Sequence, residues 1–325
     1  MSRSTTVLLG AALSAAVALA ASAQTTLRFA HTQPTGDTHH LAAVRMAELV
    51  AQATGGALRI SIHPAGELGN DPAILEGVRL GTIDIGQTGN PFYTRFEPKL
   101  NALDIPFLFA SHEHVYRVVD GEVGSGLLAE LEKHRLKGLA FWEIGFRKIT
   151  NSRRPIVTPA DLQGLKIRTT PNPAHVEAFR LWGANPTPMA FTEVYLALET
   201  RAVDGQENPL NIIRSNRFHE VQRHLSFTDH AYTVSIVSMN LARFRALPEA
   251  QQKALVDAAR EAAIYQRRLN REQEGQDLAA IKAAGVEVVE RVDTEAFRRL
   301  ALEPVKAAYV AQHGAALVDA ILALR

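Results

Sequence analysis

The order of strand-like and helix-like segments constrains the fold of this chain more than any other feature of its sequence. Three short segments alternate apolar and polar residues with the period of a strand, and two helical segments separate them. The strand-like segments are Thr25–His31, residues 57–64 and Thr82–Gly89, and the helical segments begin after Asp37 and at Asp71. An order of strand, helix, strand, helix, strand is typical of a mainly parallel sheet covered by helices on both faces.

The same alternation restarts after residue 145 and predicts a second lobe. A strand-like segment that ends at Arg168 is followed by a polar, proline-containing break and by a helical segment, Pro173–Trp182. Farther along, Leu247–Ala284 has the composition of one helix, which would be about 55 Å long and could lie along both lobes. A chain of this length also exceeds the usual size of a single hydrophobic core.

We therefore predict an α/β fold of two lobes, each a mainly parallel sheet flanked by helices, with a long C-terminal helix packed along both. The predicted first lobe is residues 24–145 and the second is residues 146–231, while residues 232–325 form a returning strand and C-terminal helices that pack on both lobes. Because no flexible linker separates the lobes, the chain should cross between them several times. Such a joint permits a hinge, which we expect near Gly145 and Tyr232.

The first 23 residues have the features of a secretory signal peptide. A short basic start precedes an apolar run from Val7 to Ala21, and small residues precede Gln24, so we predict cleavage after Ala23. The apolar run is shorter than the roughly 20 residues that a membrane-spanning helix needs, which makes an uncleaved anchor the less favoured alternative.

Composition excludes several classes of function. The chain has no cysteine, so neither thiol catalysis nor cysteine metal ligation is available. Its 35 basic and 34 acidic side chains nearly balance, which argues against nucleic acid or an anionic membrane surface as a partner. A ligand must therefore be recognised by a local site.

Arg168, at the end of a predicted strand, is the strongest candidate for such a site. Strand ends line the ligand crevice of open α/β sheets, and a guanidinium can donate two parallel hydrogen bonds to a carboxylate. Arg147 follows another apolar strand, and Asn208 follows a third short one. From its apolar neighbours we expect Arg168 to be the more desolvated arginine, with Arg147 nearer the mouth of the crevice.

Three segments around these residues resemble the DctP-type solute-binding proteins of tripartite ATP-independent periplasmic (TRAP) transporters. The segments are Gly145–Ile156, Asp161–Pro173 and Val203–Pro209. The resemblance implies a periplasmic-binding-protein fold and a periplasmic receptor that delivers a small carboxylate to the membrane subunits of a TRAP transporter. It also implies that Arg168 clamps the carboxylate, with Arg147 as a second cationic contact and Asn208 as an amide contact. We expect a monomer without a cofactor or metal.

The side chains near the predicted crevice favour a sugar acid as the ligand, either a hexuronate such as glucuronate or galacturonate, or an aldonate. Polar groups would bind several hydroxyls, and Trp142 or Phe191 could offer a ring face to a sugar. We further expect Glu67 and Glu143 to repel a second carboxylate, which makes a C4-dicarboxylate or other organic acid the alternative. The additional candidate ligand contacts are His31, His39, Glu67, Gln87, Asn90, Trp142, Glu143 and Phe191.

Two other classes of function stay open at this point. A secreted hydrolase or lyase could use Glu143 or Glu207 beside Arg168, although no recognisable motif assembles a nucleophile, a base and an oxyanion site. A metal-scavenging receptor could use the histidines of His39-His40 and His112-x-His114. Adjacent helical residues point about 100° apart, which disfavours the first pair as ligands of one ion. We therefore predict neither catalysis nor metal binding.

Overall fold

A computed structural model describes residues 24–325 of the chain. The predicted signal peptide, residues 1–23, lies outside the described residues. The strands are β1 (Thr25–Ala30), β2 (Leu58–His63), β3 (Ile85–Gly89), β4 (Leu136–Phe146), β5 (Lys148–Asn151), β6 (Lys166–Thr169), β7 (Asn185–Pro188), β8 (Gly205–Asn208), β9 (His224–Ser226), β10 (Tyr232–Asn240) and β11 (Glu287–Val289).

Helices surround these strands and connect them. They are α1 (Thr38–Ala53), α2 (Asp71–Leu80), α3 (Asn90–Tyr93), α4 (His112–Asp120), α5 (Glu122–Glu130), α6 (Pro173–Leu181), α7 (Val194–Glu199), α8 (Leu210–Ser215), α9 (Leu241–Arg245), α10 (Glu249–Ala283), α11 (Thr294–His313) and α12 (Ala316–Leu322). Within residues 24–325, none of these helices combines the length and the apolar character that crossing a membrane requires.

The strands form two sheets, as predicted. The first sheet has the order β2-β1-β3-β10-β4, in which β10 alone runs antiparallel to its neighbours. The second has the order β11-β9-β5-β8-β6-β7, in which β5 is the strand that opposes the others. The prediction of two mainly parallel sheets flanked by helices is therefore confirmed.

The long helix α10 contacts both lobes, which confirms the second part of the fold prediction. Its 35 residues contact α1 and β4 of the first lobe and α8 of the second. Small residues on one face, Ala258, Ala259, Ala262 and Ala263, are buried against the core of the first lobe. Because alanine adds little bulk, the helix axis can approach the sheet closely.

The chain passes between the sheets where the two opposing strands begin. It leaves β4 after Phe146, next to Gly145, whose φ of +119° favours glycine, and it enters β5 at Lys148. It returns through residues 227–231, between β9 and β10. The backbone N–H of Arg147 donates to the carbonyl of Ala231 at 2.9 Å, so the two crossings are joined at the base of the cleft between the lobes.

Candidate functional site

A cavity lies between the two lobes, near the carboxyl ends of β3, β4, β6 and β8. This is the edge where open α/β sheets bind their ligands. Six of the predicted contact residues line it, namely His39, Gln87, Arg147, Arg168, Phe191 and Asn208. Thr32, one of the polar residues near the predicted crevice, lines it as well. Other lining residues, which the sequence did not identify as ligand contacts, include Gln33, Asp71, Pro91, Phe92, Ile144, Thr170, Ile212 and Thr233.

Arg168 is held at the cavity by the second sheet. Its strand β6 lies between β7 and β8, and the side chain is only 1 % exposed. One terminal nitrogen, Nη2, donates to the carbonyl of Met189 at 2.9 Å, and the guanidinium carbon lies 5.9 Å from the ring centre of Phe191. Within the described chain, Nε and Nη1 are buried without a hydrogen-bond acceptor.

The guanidinium of Arg168 remains a cation at neutral pH. Burial lowers its pKa to about 10, and the nearby Glu207 carboxylate opposes that change. A buried cation with two unused donors is costly unless an anion completes its hydrogen bonds. Nε and Nη1 lie on different edges of the guanidinium, and each edge is shared with Nη2, which has a second hydrogen beyond its bond to Met189. Either of the two unpaired nitrogens can therefore join Nη2 in a two-point contact with the oxygens of a carboxylate.

Arg147 is equally buried, at 1 % exposure, so the expectation that it lies nearer the mouth of the cleft is wrong. The physical reason is its place in the crossing from β4 to β5, where both lobes cover it. Its guanidinium forms a salt bridge with Glu207, and Nη2 lies 2.9 Å from Oε1 of that carboxylate. Among the residues that the structure describes, Arg147 is therefore already paired with a carboxylate, whereas Arg168 is not.

Glu207 is held in its ionised form by these neighbours. Burial alone would raise its pKa, but the charge of Arg147 and a hydrogen bond from His230 hold the pKa of this carboxyl well below its usual range. Nε2 of His230 lies 3.4 Å from Oε2. A carboxylate locked in this way is poorly suited to exchange protons with a substrate, which counts against the hydrolase alternative.

A chain of amides orients Asn208 at the cavity. The side-chain oxygen accepts from Nη2 of Arg147 at 3.2 Å, and Nδ2 donates to Gln206 at 2.6 Å. Gln206 in turn donates to the hydroxyl of Thr150 at 2.8 Å. Because an amide nitrogen has two hydrogens, Asn208 retains a second donor beyond its bond to Gln206.

Asp71, the first residue of α2, faces the same cavity from the first lobe. Its side chain is 4 % exposed, and Oδ1 accepts a long hydrogen bond from Thr32 at 3.4 Å. Burial raises the pKa of Asp71 to about 6, although the positive charge of Arg168 opposes the shift. In the sequence, the pair Asp71-Pro72 indicated only the start of a helix, so the contribution of Asp71 to the site was missed.

Three of the predicted contact residues lie elsewhere for reasons of local pairing. His31 is buried, and its Nε2 lies 3.2 Å from Nδ1 of His40. The side chain of Glu67 is 56 % exposed and lies 3.4 Å from His63. Asn90 is buried beneath the cavity, where Nδ2 donates to Asp104 at 2.6 Å.

Trp142 and Glu143 also lie away from the cavity, because α10 covers the outer face of β4. The indole N–H of Trp142 donates to the carbonyl of Ala259 at 2.9 Å. Glu143 accepts hydrogen bonds from the hydroxyl of Tyr232 at 2.6 Å and from Arg271 at 2.9 Å. The structure thus assigns both residues to the packing of the long helix on the first lobe, and the predicted role of Glu143 against a second carboxylate is not supported.

Hydrogen bonds join the two lobes around the cavity. Ser215 on α8 donates to Oδ2 of Asp37 at 2.7 Å, and Asn216 donates to Gln33 at 3.0 Å. Beneath the cavity, Nδ2 of Asn172 donates to Asp104 at 2.9 Å. The described structure therefore has its lobes in contact on both sides of the cavity.

The histidines named in the metal hypothesis are dispersed among other partners. His39 pairs with Asp37, and His114 lies 2.8 Å from the carbonyl of Ile321. Within residues 24–325, no three histidine, aspartate or glutamate side chains are grouped to hold one ion.

Comparison with known proteins identifies the family. Residues 29–312 match DctP, the family described as bacterial extracellular solute-binding protein, family 7. The chain belongs to this family. The prediction from the three sequence segments is therefore confirmed, and the protein is a periplasmic solute receptor of the TRAP type and not an enzyme.

Individual relatives cover nearly the whole chain. The 2,3-diketo-L-gulonate-binding periplasmic protein YiaO of Escherichia coli (strain K12) is 45 % identical over 91 % of this chain and 90 % of its own length. A TRAP periplasmic solute-binding protein from Polaromonas sp. JS666, bound to D-erythronate, is 37 % identical with a TM-score of 0.90, covering 92 % of this chain and 99 % of its own. One from Roseobacter denitrificans, with bound β-D-glucuronate, is 34 % identical with a TM-score of 0.88 and the same coverage of both chains.

Proposed function

We propose that this receptor binds one monocarboxylic sugar acid per chain, unchanged, and delivers it as a monomer to the membrane subunits of a TRAP transporter. The ligand carboxylate is bound by Arg168, with Asn208 as a further donor at the same end of the cavity. The hydroxyl groups of the ligand extend towards the first lobe.

The observation that carries this proposal is the incomplete hydrogen bonding of Arg168. Its Nε and Nη1 are buried at the cavity without acceptors, while the other cation, Arg147, is paired with Glu207. One unpaired cation calls for one anionic group in the ligand.

The rest of the cavity suits a hydroxylated carbon chain. The cavity is lined by polar side chains, among them His39, Asp71 and Gln87, and by aromatic side chains that include Phe92 and Phe191. The hydroxyl groups of a sugar acid can form hydrogen bonds with the polar side chains, and its C–H groups can pack against the aromatic rings. The acids bound by the relatives, D-erythronate and β-D-glucuronate, have one carboxylate and several hydroxyls, which supports extending this class to the present chain.

The test is a thermal-shift screen of the mature protein followed by isothermal titration. The panel contains D-erythronate, D-gluconate, D-glucuronate, D-galacturonate and 2,3-diketo-L-gulonate, with succinate and malate as dicarboxylates. At about 100 times the dissociation constant, a ligand that binds only the folded form should stabilise it by about 2.7 kcal/mol. Stabilisation by succinate or malate, with none from the sugar acids, would refute the proposed ligand class.

Mass spectrometry of small molecules released from the freshly purified protein provides an independent check. A co-purified sugar acid, recovered unchanged after incubation, supports a receptor. Conversion of the added acid to a product would contradict the proposal that it is bound without reaction.

A further inference from the structure

The cavity contains an unpaired hydrogen-bond acceptor opposite Arg168. Asp71 lines the cavity from the first lobe, and its Oδ2 is buried without a donor among the described residues. The other oxygen has only the 3.4 Å contact with the hydroxyl of Thr32. A buried carboxylate oxygen without a donor is costly, so a bound molecule that donates a hydrogen bond there is favoured.

His39 provides a second acceptor on the same wall. Its Nδ1 lies 2.7 Å from Oδ1 of Asp37, which has no proton to donate when ionised, so Nδ1 carries the ring proton. In the neutral ring, Nε2 is then an acceptor, and it too is buried without a partner. Asp37 is fixed in turn by the hydroxyl of Ser215 at 2.7 Å.

The charges around the cavity do not provide for a second anion. Two cations line it, but the charge of Arg147 is matched by Glu207 and only Arg168 is left for a ligand. Asp71 contributes a negative charge from the first lobe when ionised. A second carboxylate placed there could donate no hydrogen bond and would be repelled by Asp71.

We propose that Asp71, with His39 beside it, forms an acceptor wall that recognises a ligand hydroxyl and rejects a second carboxylate. The inference rests on the proposed function, because it specifies how the first lobe recognises the hydroxylated part of the sugar acid. It assigns to Asp71 the repulsion that the sequence suggested for Glu67 and Glu143. Selectivity for sugar acids over dicarboxylates then depends on the repulsion between Asp71 and a second carboxylate as much as on the hydrogen bond from a ligand hydroxyl to Asp71.

Two matched pairs of acids test the wall. D-Gluconate and D-glucarate differ only in a terminal hydroxymethyl group against a carboxylate, and D-erythronate and meso-tartrate differ in the same way. Isothermal titration at pH 7.5 should give at least a 100-fold preference of the wild-type protein for the monocarboxylate of whichever pair binds. Equal affinities for the two members of that pair would overturn the inference without any variant.

The variant Asp71→Asn keeps the shape of the side chain, removes its charge and adds a donor. We expect the preference to fall at least tenfold, through weaker binding of the monocarboxylate, tighter binding of the dicarboxylate, or both. Glu67→Gln is the matched control, because the Glu67 carboxylate lies in the turn before α2 and its side chain is 56 % exposed. This variant should prefer the monocarboxylate over the dicarboxylate as strongly as the wild type does. A melting curve and a far-ultraviolet circular dichroism spectrum confirm that each variant is folded.

The outcomes separate this inference from the proposed function. If the wild-type protein binds neither monocarboxylate nor any other sugar acid, the proposed function fails. If it binds them but Asp71→Asn retains the full preference, the ligand class stands and the acceptor wall is refuted.

Discussion

Replacement of Arg168 by lysine is the most informative single perturbation of the site. The arginine is 1 % exposed, and only its Nη2 has a protein acceptor, the carbonyl of Met189. Among residues 24–325, Nε and Nη1 have no acceptor, and Nη2 has a second hydrogen, so the guanidinium can still donate to both oxygens of a ligand carboxylate. Lysine retains the positive charge but replaces the planar pair of donors with a single ammonium at the end of a flexible chain.

The expected loss follows from counting hydrogen bonds to a charged group. If lysine retains one of the two bonds to the carboxylate, the loss is one charge-assisted bond of about 1.5–3 kcal/mol, or roughly 10- to 160-fold in affinity. Alanine removes both bonds and leaves the ligand carboxylate buried and unpaired, which costs about 3–5 kcal/mol. From a micromolar dissociation constant, the alanine variant should show no measurable binding.

The assay is isothermal titration of the wild type, Arg168→Lys and Arg168→Ala with one sugar acid at low and high salt. Arg153→Lys is the matched control, because this side chain is 60 % exposed and pairs with Asp204 away from the cavity. The control should bind like the wild type. Binding by Arg168→Lys within threefold of the wild type would refute the assignment of Arg168 as the carboxylate clamp.

Three further predictions concern stability and closure. Arg147→Ala should lower the free energy of unfolding by about 3–5 kcal/mol, because it leaves Glu207 buried without its cation. The double variant Arg147→Met, Glu207→Met removes both charges and should recover most of that stability, as measured by urea unfolding. Equal instability of the single and double variants would contradict this reasoning. Ligand binding should reduce the radius of gyration in small-angle X-ray scattering as the lobes close about the crossings near Gly145 and Tyr232; identical curves with and without saturating ligand would exclude closure. Burial, and secondarily the charge of His40, lowers the pKa of His31 to about 3, so the unfolded chain takes up a proton below about pH 6.5 that the folded chain excludes. The free energy of unfolding should therefore fall on acidification. Between pH 7.5 and 5.5, His31→Gln should lose about 1.4 kcal/mol less of this free energy than the wild type does. If the free energies of unfolding of the two proteins change in parallel with pH, the reasoning is wrong.

Periodicity and local signals were sufficient to predict most of the fold. Alternating strands and helices predicted both sheets, and Gly81 ends α2 in the left-handed conformation that favours glycine. The short strands β5 and β9 were not identified from the sequence. Their pairing depends on β8 and on each other, which lie far apart in sequence.

The candidate site residues also fall into two groups, those that local sequence signals identified and those whose positions depend on distant parts of the chain. Arg168 and Asn208 were found because each lies at a strand end, and the end of a strand can be recognised locally. Trp142 and Glu143 were misplaced because the sequence does not indicate which element covers β4. The covering helix is more than 100 residues away, as the contact of Glu143 with Arg271 illustrates.

The sequence by itself therefore determined the class of fold and the family, and it identified Arg168 as the cation that we propose clamps the ligand. Only the tertiary structure decided which of the two arginines is paired with a carboxylate of the protein. Arg147 and Arg168 look alike in the sequence, yet Glu207 pairs with the first and no carboxylate of the described chain pairs with the second. Asp71 likewise gains its role only when the lobes meet, because burial and partnership depend on residues that folding brings together from distant parts of the chain.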